Sequence, residues 1–162
     1  MATISKIYQQ ILLSEAIALD KSIRKAKESD GDDLVAIDHK SYKYPFNSPS
    51  DYTSNDFRTF VHDDKSSSHP QGYVQVIPSE RSRKFDYIYS IATHPDHRGK
   101  NISDKLIQTV INRGHDVHLH VRTGNEKAIN LYKKHGFEIY HTIKKHYGDG
   151  EDAHYMIRAA TK

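Results

Sequence analysis

The sequence contains no cysteine and no tryptophan among its 162 residues. The absence of cysteine excludes disulfides, thiolate nucleophiles and sulfur-rich zinc sites, and it fits a reducing compartment. The sequence also lacks an apolar run long enough to span a membrane, and its first residues lack the apolar core of a signal peptide. We therefore expect a cytoplasmic protein without a membrane partner.

The net charge and the fraction of apolar residues are both low. The net charge is only +3, which is too small to argue for nucleic acid as the substrate. Apolar residues make up a low 36% of the chain, but 11 Tyr and 5 Phe supply a large buried area per residue. A chain of this length and composition supports one domain with its own core.

Apolar residues at three- and four-residue spacing, from Ile4 to Ala16, predict an amphipathic helix over 4–19. We expect a helical extension over residues 1–20, packed on the domain or on a neighbouring molecule, before a single domain over residues 21–160. Whether this helix forms a homodimer stays open.

In the first half of the domain, the sequence predicts short strands and a helix around an irregular loop. The predictions are a strand over 22–27, a helix capped by Ser29 or Asp30 and running through Ile37, an aromatic, Pro-rich loop over 42–52, a segment over 57–61 that fits helix or strand, a polar turn over 63–69, and strands over 72–77 and 85–92.

The second half has clearer signals. Leu106, Ile107, Val110 and Ile111 form one helical face, which starts at Ile102 and stops at Gly114. A strand is predicted over 116–121, a helix from the cap Asn125 to a Schellman-type stop where Phe137 contacts Tyr132, and a hairpin of strands 137–145 and 153–157. The order predicts an α/β (α+β) fold, a mixed central sheet of about six to seven strands with helices on both faces.

The stretch HPDHRGKNISDKL, residues 94–106, places Arg98, Gly99, Lys100 and Asn101 between a predicted strand and a predicted helix. Free N–H groups and the helix dipole make such a turn an anion site, and Gly99 permits positive φ. From the residues alone, a phosphate site and an ordinary solvated turn fit equally well.

At this point the chain resembles the GNAT acetyltransferases. These enzymes bind the pyrophosphate of acetyl-CoA with Arg or Gln, two residues, Gly, one residue, and Gly or Ala. This chain reads Arg98-Gly99-Lys100-Asn101-Ile102-Ser103, so the Arg matches, while Asn101 and Ser103 stand at the two small positions. The resemblance implies acetyl-CoA as cosubstrate, a GNAT fold and no metal. Among residues other than Gly, Asn is one that tolerates a left-handed backbone conformation well. Ser is small and can donate a hydrogen bond to phosphate.

Two later stretches extend the resemblance over residues 85–158. The stretch 119–138, LHVRTGNEKAINLYKKHGFE, looks like the second signature of the family, and 146–156, HYGDGEDAHYM, resembles the C-terminal hairpin of one branch. That branch contains the ribosomal-protein-alanine acetyltransferases and the archaeal and eukaryotic N-terminal acetyltransferase catalytic subunits. It implies transfer, within a ternary complex, to the free N-terminal amine of proteins or peptides; a ribosome contact or auxiliary subunit stays open.

The chemistry of the acceptor favours a mild base. A chain α-amine has a pKa near 8 and Lys near 10.4, so about 10% of the former but under 0.1% of the latter is neutral at pH 7. A His with a pKa of about 6.5 suits the α-amine. In relatives with the sequence LHV that His is the base and a Tyr on the preceding strand is its partner. The resemblance thus assigns these roles to His120 and Tyr87, acting through water.

The resemblance also implies the remaining site residues. Tyr132 would face the thioester sulfur and protonate the leaving thiolate, Ile91, Ala92 and Thr93 would offer backbone groups to the pantetheine arm, and Asn125 would contact the same arm. The acceptor would be read by Tyr44, Pro45 and Phe46 in the aromatic loop and by Tyr147 in the hairpin. Ordinary packing explains each of these four residues equally well.

Three alternatives stay open. His118 and His120 share one strand face, and such a pair can bind zinc, although the pattern places no clear third ligand. A non-catalytic CoA-binding or interaction module could use the same fold. Within the acetyltransferase interpretation, protein lysine or a small-molecule amine is the alternative acceptor.

Overall fold

The computed structural model describes residues 21–45, 48–64, 67, 69–80 and 84–161. The predicted helix over 4–19 lies outside the described residues. In the described part, no helix is long and apolar enough to cross a bilayer.

The described chain folds into one seven-stranded sheet with helices on both faces, as the sequence predicts. The strands are β1 (Ile23–Lys25), β2 (Arg58–Asp63), β3 (Pro70–Ile77), β4 (Phe85–Thr93), β5 (Asp116–Arg122), β6 (Glu138–Ile143) and β7 (Ala153–Arg158). The helices are α1 (Gly31–Ser41), α2 (Ser50–Thr53), α3 (Ile102–Ile111) and α4 (Glu126–Lys134). Three-residue 3₁₀ turns precede α1 and follow β4.

Strand β4 is the central strand of the sheet, in which the strand order is β1-β2-β3-β4-β5-β7-β6. Every pairing is antiparallel except β4 with β5. One apolar cluster joins β3, β4, β5 and β7 to α3 and α4, and a second, smaller one joins β2, β3 and β4 to α1 and α2. The two clusters lie on opposite faces of the sheet, because successive side chains of a strand point to opposite faces. In β3, Tyr73 belongs to the second cluster and Val74 to the first.

Strands β4 and β5 pair over only part of their length. The parallel register covers Phe85–Ile88 against Asp116–Leu119, whereas β4 continues to Thr93 and β5 to Arg122. Just beyond the paired part, Gln75 of β3 pairs with Ser90 and Val76 with Ile88, so Tyr89 is the extra residue of a β-bulge. Bulges bend a strand and increase its twist, and here the two strands diverge and leave an opening.

Three predictions in the first half need correction. Residues 42–52 are not wholly irregular, because α2 forms there and buries Tyr52 edge-on against Tyr73, with ring centroids 5.2 Å apart. Asp30 precedes α1 but its side chain does not cap it. That carboxylate instead accepts hydrogen bonds from Arg24 and from the N–H of Lys27.

The undecided segment 57–61 proves to be part of strand β2, which continues to Asp63 and so shortens the predicted turn over 63–69.

Candidate active site

The opening between β4 and β5 is a cleft of about 1380 Å³. It is bounded by β4 and β5, the first turn of α3, one side of α4, the end of α1 and the β6–β7 hairpin. Ligands of open α/β sheets bind where neighbouring strands part at their carboxyl ends, and β4 and β5 part in this way. The cleft therefore marks the candidate site.

The turn between β4 and α3 has the backbone shape that its sequence predicts. Gly99 has φ +80° and Asn101 φ +58°, so the residue in the first small position adopts left-handed backbone. The side chain of Asn101 makes no capping bond to α3, which leaves the first N–H groups of the helix without a cap from that residue. A bond of 2.9 Å between the hydroxyls of Thr93 and Ser103 ties the end of β4 to this turn.

Of the predicted phosphate residues, Lys100 is the exception. Arg98, Gly99, Asn101, Ile102 and Ser103 line the cleft, but Lys100 does not. Its Nζ lies 3.3 Å from Nδ1 of His97. Within this turn, the cationic residue that lines the cleft is thus Arg98.

The edge of β4 lines the cleft through Ile91, Ala92 and Thr93, the residues expected to meet the pantetheine arm. The carbonyl of Ile91 accepts a hydrogen bond from the hydroxyl of Tyr42, which follows α1. Sequence reasoning placed Tyr42 only within an aromatic loop. The signal was the loop composition, but nothing local shows that this hydroxyl reaches a strand 49 residues away.

Tyr87 and His120 meet across the two strands. The Tyr87 hydroxyl lies 2.5 Å from Nδ1 of His120. Burial, followed by the positive potential of His146 and His141, lowers the pKa of His120 below its usual value. Burial also raises the pKa of Tyr87 to about 12, with its neighbour Tyr147 adding to the effect. At neutral pH the pair is therefore a neutral phenol hydrogen-bonded to a neutral imidazole, which can accept a proton.

His118 occupies the same face of β5 but has different neighbours. Its ring stacks on Phe85, with centroids 3.8 Å apart and planes at 3°, and its Nδ1 is hydrogen-bonded to the Tyr155 hydroxyl. Among residues 21–45, 48–64, 67, 69–80 and 84–161, no three His, Cys, Asp or Glu side chains form a group that could hold a metal ion. The described geometry thus gives the zinc alternative no support.

Helix α4 has the ends that its sequence predicts. Oδ1 of Asn125 accepts from the N–H of Ala128 at 3.1 Å and caps the helix. At the other end, the N–H groups of Phe137 and Gly136 bond to the carbonyls of Tyr132 and Lys133, which is the Schellman pattern. Tyr132 is only 6% exposed, yet it lines the cleft, and burial raises the pKa of its hydroxyl. It is therefore a protonated donor at any working pH.

The predicted acceptor residues are brought together only in part. Tyr44 lines the cleft and is 63% exposed, Pro45 does not line it, and Phe46 lies outside the described residues. Tyr147 lines the cleft from the hairpin, with the guanidinium of Arg122 3.9 Å from its ring centroid.

Ion pairs hold that hairpin over β5. Nη1 of Arg122 lies 3.0 Å from Asp149 and 2.7 Å from Glu151, and Glu151 also accepts from the N–H of Gly124 at 3.1 Å. The hairpin also brings His146 to the site, where its ring stacks on His120. Sequence reasoning did not single out His146. Its position next to Tyr147 was the only available signal.

The sequence profile of the acetyltransferase (GNAT) family matches residues 31–137. The chain belongs to this family. The peptidyl-lysine N-acetyltransferase YjaB of Escherichia coli is 27% identical over 125 residues, which are 73% of this chain and 82% of YjaB. The N-alpha-acetyltransferase RimI of Mycobacterium tuberculosis is 32% identical over 91 residues, 54% of this chain and 58% of that relative, so the match spans less than two thirds of RimI.

Among solved structures, Arabidopsis thaliana NAA60 in complex with acetyl-CoA superposes with a TM-score of 0.76 at 20% identity. The superposition covers 85% of this chain and 98% of that one. At this identity the likeness establishes the GNAT fold, which agrees with the fold expected from the sequence.

Proposed function

We propose that this protein is an acetyl-CoA-dependent N-alpha-acetyltransferase, which moves an acetyl group to the free N-terminal amine of proteins or peptides within a ternary complex. The observation that carries the proposal is the hydrogen bond between Tyr87 and His120 at the point where β4 and β5 part. The His120 imidazole is a mild base, and it suits an α-amine better than a lysine side chain because the α-amine loses its proton more readily.

The cleft fits acetyl-CoA by its backbone. The left-handed Asn101 and the positive φ of Gly99 turn the chain so that the first turn of α3 presents uncapped N–H groups, and Arg98 adds a cation. These groups would hold the pyrophosphate. The part of the β4 edge that lies beyond its pairing with β5 would take the pantetheine arm as an added strand.

Acetyl-CoA supplies a thioester carbonyl carbon, which the acceptor nitrogen attacks. A carbon–nitrogen bond forms and the carbon–sulfur bond breaks. His120, neutral at working pH, takes the proton of the attacking amine through water, and Tyr87 fixes the orientation of its ring. The hydroxyl of Tyr132, held neutral by burial, donates its proton to the leaving thiolate.

Lysine is the second candidate acceptor. It is favoured by YjaB, which is a peptidyl-lysine N-acetyltransferase and whose match covers more of this chain than that of RimI. A lysine side chain needs stronger help to lose its proton at pH 7, and the described cleft offers His120 rather than a carboxylate beside Tyr87.

Calorimetric titration separates an enzyme from the two non-enzymatic alternatives. We expect micromolar binding of acetyl-CoA, no binding of zinc, and acetylation of a peptide with a free N-terminus on addition of both substrates. Zinc binding without acetyl-CoA binding would support the metal-site interpretation, and acetyl-CoA binding without turnover on any amine would support a binding module.

A further inference from the structure

The ring of His146 lies almost parallel to the ring of His120. Their centroids are 4.7 Å apart and their planes differ by 17°. From the neighbouring strand β4, the hydroxyl of Tyr87 is hydrogen-bonded to Nδ1 of the same imidazole. His120 is thus held in its plane by a ring above it and by a phenol at its edge.

Local contacts of the hairpin fix the position of His146. Tyr147 packs edge-on against it at 4.9 Å, and the N–H of Tyr147 bonds to the carbonyl of Glu151 at 3.1 Å. One residue earlier, the N–H of Lys145 bonds to Asp152 at 2.9 Å. These bonds hold the backbone on both sides of His146, and its exposed side chain packs between the rings of His120 and Tyr147.

Two stacked imidazoles resist carrying two positive charges. At this separation the repulsion between unit charges is about 1 kcal/mol in water, and it increases as water is excluded. The remaining charged or titratable groups facing His120 are three tyrosine hydroxyls, two further histidines and a paired cation. They are Tyr87 on β4, His118 and Arg122 on β5, His141 on β6, Tyr147 in the hairpin and Tyr155 on β7.

We propose that His146 is a positioning residue for His120: it holds the imidazole plane by stacking, and a positive charge on one ring of the stack opposes a second on the other. The catalytic part of this inference rests on the proposed function, whereas the coupling between the two rings does not. A tyrosine or phenylalanine at this position would supply the stack alone.

Two variants with opposite charge effects test the coupling. His146→Phe keeps a flat ring over His120 and removes the second charge, whereas His146→Arg keeps a flat group that is always charged. The pKa of His120 is read directly from its imidazole resonances by NMR titration. We expect it to rise by about half a pH unit in His146→Phe and to stay or fall in His146→Arg.

His154→Phe is the matched control, because His154 lies on β7 with its side chain bonded to Thr142. It should leave the titration of His120 unchanged. The acid limb of kcat should follow the NMR shift in His146→Phe and should not move in His154→Phe.

An unchanged pKa of His120 in both His146 variants would overturn the proposal, as would equal shifts in His154→Phe. A purely structural role predicts full rescue by Phe with an unmoved pH profile. If the pKa moves as expected but no α-amine is acetylated, the proposed function fails and the coupling stands, so the two failures are distinguishable.

Discussion

The phenolic oxygen of Tyr87 on β4 lies 2.5 Å from Nδ1 of His120 on β5, although the residue directly opposite Tyr87 in the parallel register is His118. The bond therefore runs diagonally, toward the end where the strands part. It places the outer edge of the His120 ring at the cleft rather than in the sheet. This diagonal contact is the basis of the predictions below.

Removing either member of the pair should slow transfer. We expect Tyr87→Phe and His120→Gln each to lower kcat by about 10²-fold, the usual range for a positioned base. Because the two residues act as one unit, the double variant should cost little more than the more damaging single one. Initial rates on a free N-terminal peptide measure this, with His154→Gln as the control; fully additive losses would contradict a shared role.

Turnover should persist at mildly acidic pH. Burial, and after it the neighbouring His146 and His141, lowers the pKa of His120, so its neutral form remains the major one down to a pH below about 6.5. The acid limb of kcat, measured with saturating peptide, should lie below that value and disappear in His120→Gln. A limb centred above pH 7 that survives in His120→Gln would assign the base elsewhere.

Tyr132→Phe should separate acid catalysis from packing. The ring of Tyr132 packs against Phe137 with centroids 5.7 Å apart, and a phenylalanine at position 132 keeps this contact. The melting temperature should therefore hardly change. Loss of the hydroxyl should lower kcat by about 10²-fold because the thiolate leaves without a proton donor. Tyr140→Phe, at a site 72% exposed, is the control. An unchanged kcat in Tyr132→Phe would remove the acid role.

The phosphate turn should tolerate glycine. Asn101 already has φ +58°, a conformation that Gly adopts at lower cost, so Asn101→Gly together with Ser103→Gly should keep or strengthen acetyl-CoA binding. The Ser103 change also removes the bond to Thr93 and costs about 1 kcal/mol of stability. Calorimetry checks the affinity. A more than tenfold loss would mean that the two side chains hold the phosphate themselves.

A buried ion pair at the start of β4 should matter far more for folding than an exposed one. Asp86 is fully buried and accepts from Arg113 at 2.6 Å and from the N–H of Ser79 at 2.7 Å. Arg113→Ala should cost about 3 kcal/mol in the free energy of unfolding, because a buried carboxylate loses its partner. Lys144 is 82% exposed, so Lys144→Ala, which breaks its pair with Asp152, should leave the free energy of unfolding almost unchanged. Equal losses by chemical denaturation would contradict this ranking.

The second half of the fold could be predicted because its signals are local. Asn125 caps α4, and Gly136 and Phe137 end it, through bonds that span only a few residues. Apolar periodicity likewise fixed α3, because one face of that helix is buried. Alternating apolar residues also predicted strands at β5, β6 and β7.

What sequence reasoning missed depends on contacts between distant residues. The four-residue helix α2 is stabilised by Tyr52 packing on Tyr73, a contact that no local spacing reveals. The bulge at Tyr89 depends on pairing with β3, and the stack of His146 on His120 depends on a hairpin held by Arg122. The carboxylate of Asp30 was assigned to a cap from its position before α1, whereas it pairs with Arg24, which is only six residues away but lies on β1.

The central claim, transfer to an α-amine, is tested most directly by one paired acetylation measurement. Short peptides with varied first residues are offered in two forms, one with a free N-terminus and no lysine, the other N-terminally blocked with an internal lysine, and the acetylated product is located by mass spectrometry. The account predicts acetylation of the free N-termini at a rate at least about tenfold above that of the blocked lysine peptides. Equal or faster acetylation of the blocked peptides would contradict it.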